Sequence, residues 1–203
     1  MKLPPLQAED RWTIICCGLI AHADDIGEMG QWDAVRRMVP GSLSRKQRNQ
    51  WLAVLSDQER LEQEFEVLTE VPEGFAKQLL WRSWQVALAD GAGSDIEESQ
   101  HDRIAVRIGV TLEQVAAWRQ AWTEEASNYA RVAVGLASVF VNLDGRLDFH
   151  EAVHFENLLE RMPVSLADRA DLSAILMTPP TAEQVIEELS DLPEPQRLAA
   201  FHE

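Results

Sequence analysis

The sequence contains few basic residues, few cysteines and no long uncharged apolar run. Its 203 residues include 18 Lys and Arg against 34 Asp and Glu, which gives a formal charge of −16. A chain this acidic is not expected to bind nucleic-acid phosphates or anionic lipids, because both attract clustered basic side chains. No apolar stretch reaches the roughly 18 residues that a membrane span requires. The composition leaves cations or a basic protein as the expected partners.

The N-terminus and the cysteines predict a cytoplasmic protein. The first residues, MKLPPLQAEDRW, do not resemble a signal peptide, because two prolines and an acidic pair precede the first apolar run. The two cysteines, Cys16 and Cys17, are adjacent in an apolar helical pattern. Neighbouring residues point about 100° apart on a helix, so these thiols are poorly placed to form a disulfide. We expect two small core residues in a reducing cytoplasm.

The distribution of apolar residues predicts an all-α fold. Glycines and prolines fall between periodic segments, and no alternation of apolar and polar residues is long enough for a β-sheet. The first segment places its apolar residues three and four positions apart, on one helix face. Ser44, Thr111 and Thr181 are each followed by Gln three residues later, which is the pattern of a capping box. Pro72 is expected in the first turn of its helix. We predict a helical bundle of about ten helices built from repeated helix-turn-helix units, over residues 8–23, 29–39, 44–55, 57–70, 72–90, 94–108, 112–122, 124–143, 148–161, 166–176 and 182–190.

A short motif recurs along the chain. The recurring residues are Asp90, Gly91, Ser94 and Glu97 in a middle copy and Asp144, Gly145, Asp148 and Glu151 in a last copy. The spacing from aspartate to glutamate is the same in both copies, and Thr111 and Ser165 follow their aspartates at equal distances. A degenerate first copy has Asp24 in place of the aspartate, and Glu28 aligns with the two glutamates if its loop is three residues shorter.

The motif has a structural and a functional interpretation. Glu97 and Glu151 stand where a capping-box carboxylate reaches back to the N-cap residue. Asp90 and Asp144 are harder to explain, because an acid at the C-terminus of a helix costs roughly 0.3–1 kcal/mol. An unfavourable charge repeated in an acidic chain indicates a bound cation or a basic partner. Hydrogen bonds that these aspartates accept from the next helix are the alternative explanation.

These residues resemble the TerB family of tellurite-resistance proteins, whose unit also occurs at the N-terminus of the DjlA co-chaperone. The similarity lies in a helix that ends in Ala-Asp-Gly, a following Ser-x-x-Glu and a later Gly-Val-Thr-Leu, and it is closest over residues 57–118. The resemblance implies three TerB-like segments packed as one body: 1–56 (degenerate), 57–123, and 124–203 with the C-terminal helices. It implies a non-enzymatic acidic module that binds a cation or assembles with proteins in bacterial tellurite- or metal-type stress response. The acidic positions that it implies are Asp90, Glu97, Asp144 and Glu151.

An EF-hand-like pattern overlaps the last copy. Residues 142–151 match positions 3 to 12 of the calcium loop, but position 1 is Phe140, which cannot bind calcium. Weak divalent binding through Asp144, Asp148 and Glu151 stays open. The candidate metal ligands are therefore Asp90, Glu97, Asp144, Asp148 and Glu151, and the candidate cations are Ca²⁺, Mg²⁺ and Zn²⁺.

The same copy contains an H-E-x-x-H sequence, His150-Glu151-Ala152-Val153-His154. In zinc hydrolases two histidines one helical turn apart bind Zn²⁺ and the glutamate activates water, so a zinc hydrolase is the alternative function. No G-x-x-H follows, and the best third ligands, Glu183 and Glu187, belong to a separate helix. The middle copy has no histidine at this place. We therefore predict a module without catalytic residues.

Three further features have simple structural interpretations. The isolated His22 and His101 are expected at the surface or as caps. The tryptophans at helical spacing are expected in the core. The glutamate-rich stretch 57–70 is expected to be a solvated helix face.

Overall fold

The computed structural model describes residues 3–23, 29–90, 93–142, 149–162, 164 and 166–200. Within these ranges the chain forms eleven α-helices and one short 3₁₀ turn, and it contains no β-strand, which confirms the all-α prediction. No helix in these ranges is long and apolar enough to cross a membrane. The helices are α1 (Ala8–Ala21), α2 (Met29–Met38), α3 (Arg45–Leu55), α4 (Gln58–Glu66), α5 (Ala76–Ala87), α6 (Asp95–Arg107), α7 (Leu112–Val141), α8 (Phe149–Arg161), α9 (Leu166–Ala174), α10 (Ala182–Asp191) and α11 (Glu194–Ala200), and the 3₁₀ turn is Leu88–Asp90.

Local capping signals determine where several helices begin. Ser44, Ser94 and Thr181 each accept the backbone N–H of the third helical residue, and that residue's side chain accepts the N–H of the cap. Thr111 Oγ1 accepts the N–H of Gln114 at 3.2 Å. The predicted starts of α3, α6, α7 and α10 are therefore confirmed, because each depends on residues only three positions apart.

Two predicted boundaries are wrong, and one helix is not predicted. The expected break at residue 123 is absent, and α7 is continuous, because neither Gly nor Pro lies near that position. The helix α5 begins at Ala76, while the carbonyl of Pro72 accepts the N–H of Phe75 in a preceding turn. The helix that no sequence pattern predicts is α11, which follows Pro193.

The chain divides into two compact units, which we describe separately. Unit 1 consists of Met1–Ala89 and Gly93–Gln120, and unit 2 consists of Asp90–Ala92 and Ala121–Glu203. The helix α7 contributes residues 112–120 to unit 1 and its later residues to unit 2. The division into three segments with boundaries after residues 56 and 123 stays a prediction from the repeat.

The first helix forms the centre of unit 1. It packs against α2, α3, α4, α5 and α6, and residues 12–21 are all buried. The sequence predicts one apolar face, but the surrounding helices also bury the opposite side, which includes Ile14 and Cys17. Close packing extends to the backbone, because a Cβ at Gly18 would lie 2.8 Å from Leu55 Cδ2.

The two cysteines are buried in this centre and form no disulfide, as predicted. Burial raises the pKa of both thiols above the ordinary range. For Cys17 the positive charge of Arg82 opposes this rise only in part. Because the thiolate is the reactive form, both side chains act as small apolar core residues.

The glutamates of the acidic helix α4 are exposed or half-buried, and arginines of two other helices pair with three of them. Arg103 of α6 donates to both oxygens of Glu62, at 2.6 and 2.7 Å, and to Glu66 at 3.2 Å. Arg11 of α1 donates to Glu64 at 2.7 Å, where the Glu64 side chain is 21 % exposed. These ion pairs tie α4 to α1 and α6 at the edge of unit 1.

Unit 2 has a separate apolar core. Small residues of α7 and larger side chains of α8 belong to the same buried cluster. The buried residues of this core are Ala130, Ala133, Val134, Phe155, Leu158, Leu159, Met162, Val164, Leu172 and Ala200. Gly135 of α7 faces Pro180 and Val185, so α10 packs on the same helix.

Candidate functional site

Ser94 and Glu97, the residues of the middle copy whose side chains the structure describes, lie at the start of α6 in unit 1, and we call their surroundings the corner. After α5 the chain makes the 3₁₀ turn, and Ser94 caps α6. One carboxylate oxygen of Glu97, Oε2, accepts the Ser94 N–H at 2.8 Å and lies 3.0 Å from the Ser94 hydroxyl. The N–H of Glu97 in turn donates to Ser94 Oγ at 3.3 Å. The capping-box interpretation of this sequence is therefore confirmed.

The second oxygen of Glu97 connects the corner to α2. The Gln31 side-chain amide donates to Glu97 Oε1 at 2.8 Å, and both side chains are buried, with 0 % and 1 % of their surface exposed. The two residues are 66 positions apart in the sequence. A buried carboxylate requires such partners, because an unsatisfied charge is costly away from water. Glu97 thus links two helices that the sequence alone does not place together.

His101 lies one helical turn beyond Glu97 and is fully buried. Its Nε2–H donates to the carbonyl of Leu80 at 2.9 Å, and its Nδ1 accepts from Arg119 Nη1 at 3.3 Å. This pair of bonds selects the neutral tautomer that carries its proton on Nε2. Burial, together with the Arg119 charge, lowers the pKa of His101 to about 4. The predicted surface position is therefore wrong for His101, whereas His22 caps the last carbonyl of α3, that of Leu55, at 2.7 Å.

Arg119 of α7 closes the network on its outer side. Its guanidinium donates to Asp102 at 2.5 Å and lies 5.5 Å above the centre of the Trp84 ring. The Trp84 ring also contacts His101, with ring centres 5.4 Å apart. Gly93 fits against this indole, because a Cβ there would lie 2.1 Å from Trp84 Cη2. Side chains of α2, α5, α6 and α7 therefore contact one another at the corner.

Helix boundaries show that the motif is a structural repeat. The same number of residues separates the end of α5 from the end of α7, each end of α6 from the matching end of α8, and the start of α7 from the start of α9. A second, larger number of residues separates the end of α1 from the end of α5 and the start of α2 from the start of α6. Glu97 and Glu151 are accordingly both the third residue of their helix, and the third residue of α2 is Gln31. By helix position, the residue equivalent to Glu97 is therefore Gln31, its own hydrogen-bond partner, while Glu28, which the sequence aligned with Glu97, lies outside the described residues.

The candidate acidic residues are only partly described by the structure. Asp90 is the last residue of the 3₁₀ turn, and its side chain lies outside the described residues. Asp144 and Asp148 also lie outside them, as do Asp24 and Glu28. Glu151 is half-buried in the first turn of α8. The structure thus details the surroundings of Glu97 alone, and the metal-site assignment stays a prediction.

The H-E-x-x-H residues lie on α8 in unit 2. His150 and His154 are exposed one turn apart. Among the described side chains, no three His, Cys, Asp or Glu residues are close enough together to hold a metal ion. The described part of the chain therefore supplies no third ligand beside these histidines.

Sequence reasoning missed Gln31, His101 and Arg119 as members of the corner. A direct search for helix boundaries at a constant offset could have found Gln31, since the interval from Asp24 to Asp90 equals that from Gln31 to Glu97. Nothing local marks Arg119, whose partners lie 17 and 18 residues earlier.

Comparisons with protein-family models, curated proteins and solved structures give no match to this chain.

Proposed function

We propose that this chain is a non-enzymatic, acidic helical module of the TerB-like kind that acts by binding protein partners. The observation that carries the proposal is the use of polar groups at the corner of unit 1. The Glu97 carboxylate is occupied by Gln31 and Ser94, and the His101 imidazole is held between a carbonyl and Arg119. Groups bound in this way orient helices and are not offered to a substrate. We therefore expect the outer surface of the module to bind its partners.

The motif resemblance supports a role in bacterial tellurite- or metal-type stress response. The buried, unpaired thiols of α1 support a reducing, cytoplasmic environment. Protein partners are favoured over nucleic acid, because the formal charge of −16 repels a phosphate backbone.

Cation binding at the corner is a second candidate, favoured by the position of Asp90. This residue follows the C-terminal end of α5 and closes the 3₁₀ turn. The backbone carbonyls there already present partial negative charge, so an aspartate at this point is unfavourable by itself. A divalent cation would balance both the aspartate and the carbonyls.

Calorimetric titration of the full chain with Ca²⁺, Mg²⁺ and Zn²⁺ separates the two candidates. The variants are Asp90→Asn and Asp144→Asn, with Asp95→Asn as the matched control, since Asp95 is an exposed acid at the start of α6. The protein-binding proposal expects no saturable heat from any of the three cations. Saturable binding that disappears in Asp90→Asn or Asp144→Asn but persists in Asp95→Asn would replace it with cation binding.

Metal analysis of the purified chain tests the enzymatic alternative. The proposal expects no stoichiometric zinc. One equivalent of zinc that is lost in His154→Ala would instead favour a zinc hydrolase and would contradict the proposed function.

A further inference from the structure

A basic strip interrupts the acidic surface of unit 1. It consists of Arg36, Arg37, Arg45, Lys46 and Arg48, which are five of the 18 basic residues of the chain. Residues 29–56 contain a single acid, Asp33, which pairs with Arg36 at 3.3 Å. Within the described part of the chain, no other ion pair involves the strip. The composition as a whole therefore conceals a local cluster of positive charge.

Fold stability does not account for the whole strip. Arg36 and Arg37 lie in the last turn of α2, where positive charge is favourable. Arg45 and Lys46 are the first two residues of α3, and its first turn contains no acid. Cations at the positive end of a helix cost roughly 0.3–1 kcal/mol each. Because both are exposed and the chain has acids in excess, this placement indicates an anionic partner.

A groove lined by polar and apolar groups in similar measure adjoins the strip. It has a volume of about 590 Å³ and lies between α2 and α3, with Trp32, Val35, Leu52 and Ala53 among its lining residues. Arg36 and Asn49 form part of its rim. A shallower depression along α3, lined by Arg45, Lys46, Asn49, Gln50 and Ala53, continues from it. Positive charge and apolar surface therefore lie side by side.

The walls of the groove are held by one contact between rings and by two hydrogen bonds within unit 1. The Trp32 ring lies edge-on to His22, with ring centres 4.8 Å apart, and His22 is held by the carbonyl of Leu55. Arg48 donates to the carbonyl of Arg36 at 3.1 Å and so joins the end of α2 to α3. A groove held in this way loses little entropy when it is filled.

We propose that this groove binds an acidic amphipathic helix of a partner protein. The apolar side chains of that helix lie on Trp32, Leu52 and Ala53, and its carboxylates face Arg45 and Lys46. The charge of the strip selects the acidic sequence, and the apolar floor selects a protein segment over a phosphate backbone. This inference rests on the proposed protein-binding function and names the class of partner.

The test uses three fluorescein-labelled probes and the full chain, with binding followed by fluorescence anisotropy. The probes are a helical peptide of four to five turns with Leu on one face and Glu on its flanks, the same peptide with Lys for every Glu, and a thymidine oligonucleotide. Saturable binding is expected for the acidic peptide alone, and it should weaken as salt is added.

Lys46→Glu and Lys77→Glu form a matched pair of variants. Each lysine is exposed and is the second residue of its helix, so the change in charge and in helix-dipole energy is similar, and Lys77→Glu additionally removes the contact of Lys77 with the Trp118 ring, 5.4 Å away. A carboxylate at this position stabilises the first turn, so both variants are expected to fold. Lys46→Glu should weaken binding of the acidic peptide about five- to tenfold, as expected when an exposed ion pair becomes a repulsion, and Lys77→Glu should leave it unchanged. Ala53→Gln should also weaken binding, by filling the apolar floor without altering charge.

Several outcomes would overturn the inference. No binding of the acidic peptide, or an equal loss in the two lysine variants, would remove the groove as a docking site. Oligonucleotide binding that is lost in Lys46→Glu would identify a nucleic-acid surface, and sedimentation showing self-association lost in Lys46→Glu would identify a second copy of this chain as the occupant. These results are independent of the cation titrations, so a wrong groove and a wrong function can be told apart.

Discussion

The buried His101 predicts a specific dependence of stability on pH. Its imidazole is neutral in the folded chain, with a pKa of about 4, whereas the unfolded chain has the ordinary value of 6.5. Between these values the unfolded state binds more protons than the folded state, so the free energy of unfolding falls as the pH is lowered. The contribution of the neutral His101 to the free energy of unfolding is complete above pH 6.5 and is lost as the pH falls towards 4.

The size of the effect follows from the same two values. Since one pKa unit corresponds to 1.36 kcal/mol, the full loss is about 3 kcal/mol, and about 2 kcal/mol is lost by pH 5. Burial is the main cause of the low pKa and the Arg119 charge adds to it, whereas the hydrogen bond to Leu80 and the charge of Asp102 act in the opposite direction. A proton on Nδ1 would remove the acceptor that Arg119 uses and place two positive charges together.

Urea unfolding, followed by tryptophan fluorescence at pH 7.5, 6 and 5, measures the effect. The comparison variant is His101→Gln, which keeps a donor for the Leu80 carbonyl and cannot titrate. Carboxylates titrate in both proteins, so the difference in unfolding free energy between them isolates the imidazole. That difference should shrink by about 2 kcal/mol between pH 7.5 and 5. A difference that stays constant over this range, or an NMR titration of His101 near 6.5, would refute the reasoning.

Three further predictions concern packing and hydrogen bonds. Gly93→Ala should destabilise the chain by about 1–3 kcal/mol, because the added Cβ would collide with Trp84. Gly41→Ala is the control and should not destabilise the chain, because no atom lies within 4 Å of a Cβ added there. Thermal unfolding compares the two variants. Glu97→Ala should cost roughly 2–4 kcal/mol by removing the acceptor of Gln31 and the capping box, while Glu97→Gln should recover much of this after an amide flip. Equal losses of the two variants in urea unfolding would contradict the prediction, because they would show that an amide cannot replace the carboxylate in these hydrogen bonds. The two adjacent thiols of α1 should react with a thiol reagent only after unfolding, and rapid labelling of the native chain would show that they are not buried.

The features predicted correctly depend on residues close in the sequence. The start of α6 follows from Ser94 and Glu97, three positions apart, and the start of α10 follows from Thr181 in the same way. The all-α class follows from apolar periodicity, which is also a local property. These signals do not depend on which helices pack together.

The features predicted wrongly or missed depend on tertiary contacts. The contact of Gln31 with Glu97 joins positions far apart in the chain, and no local pattern marks a glutamine as the partner of a glutamate. The burial of His101 is decided by Leu80 and Arg119, which belong to two other helices. By contrast, the cluster of cations on α2 and α3 is local, because its five residues lie within positions 36–48; the net charge hides it only by averaging over the whole chain.

The unequal offsets between copies have a consequence for how the chain tolerates insertions. Three separate helices, α3, α4 and α5, lie between the first two copies of the motif, whereas one continuous helix, α7, lies between the second and the third. The segment between copies thus varies in length and helix number, while the number of residues from the end of one flanking helix to the start of the next is the same in all three copies. Extra residues should therefore be accommodated between α4 and α5, around residues 67–75. A single residue added between Ser94 and Glu97 would instead break the capping box and turn the glutamate away from α2.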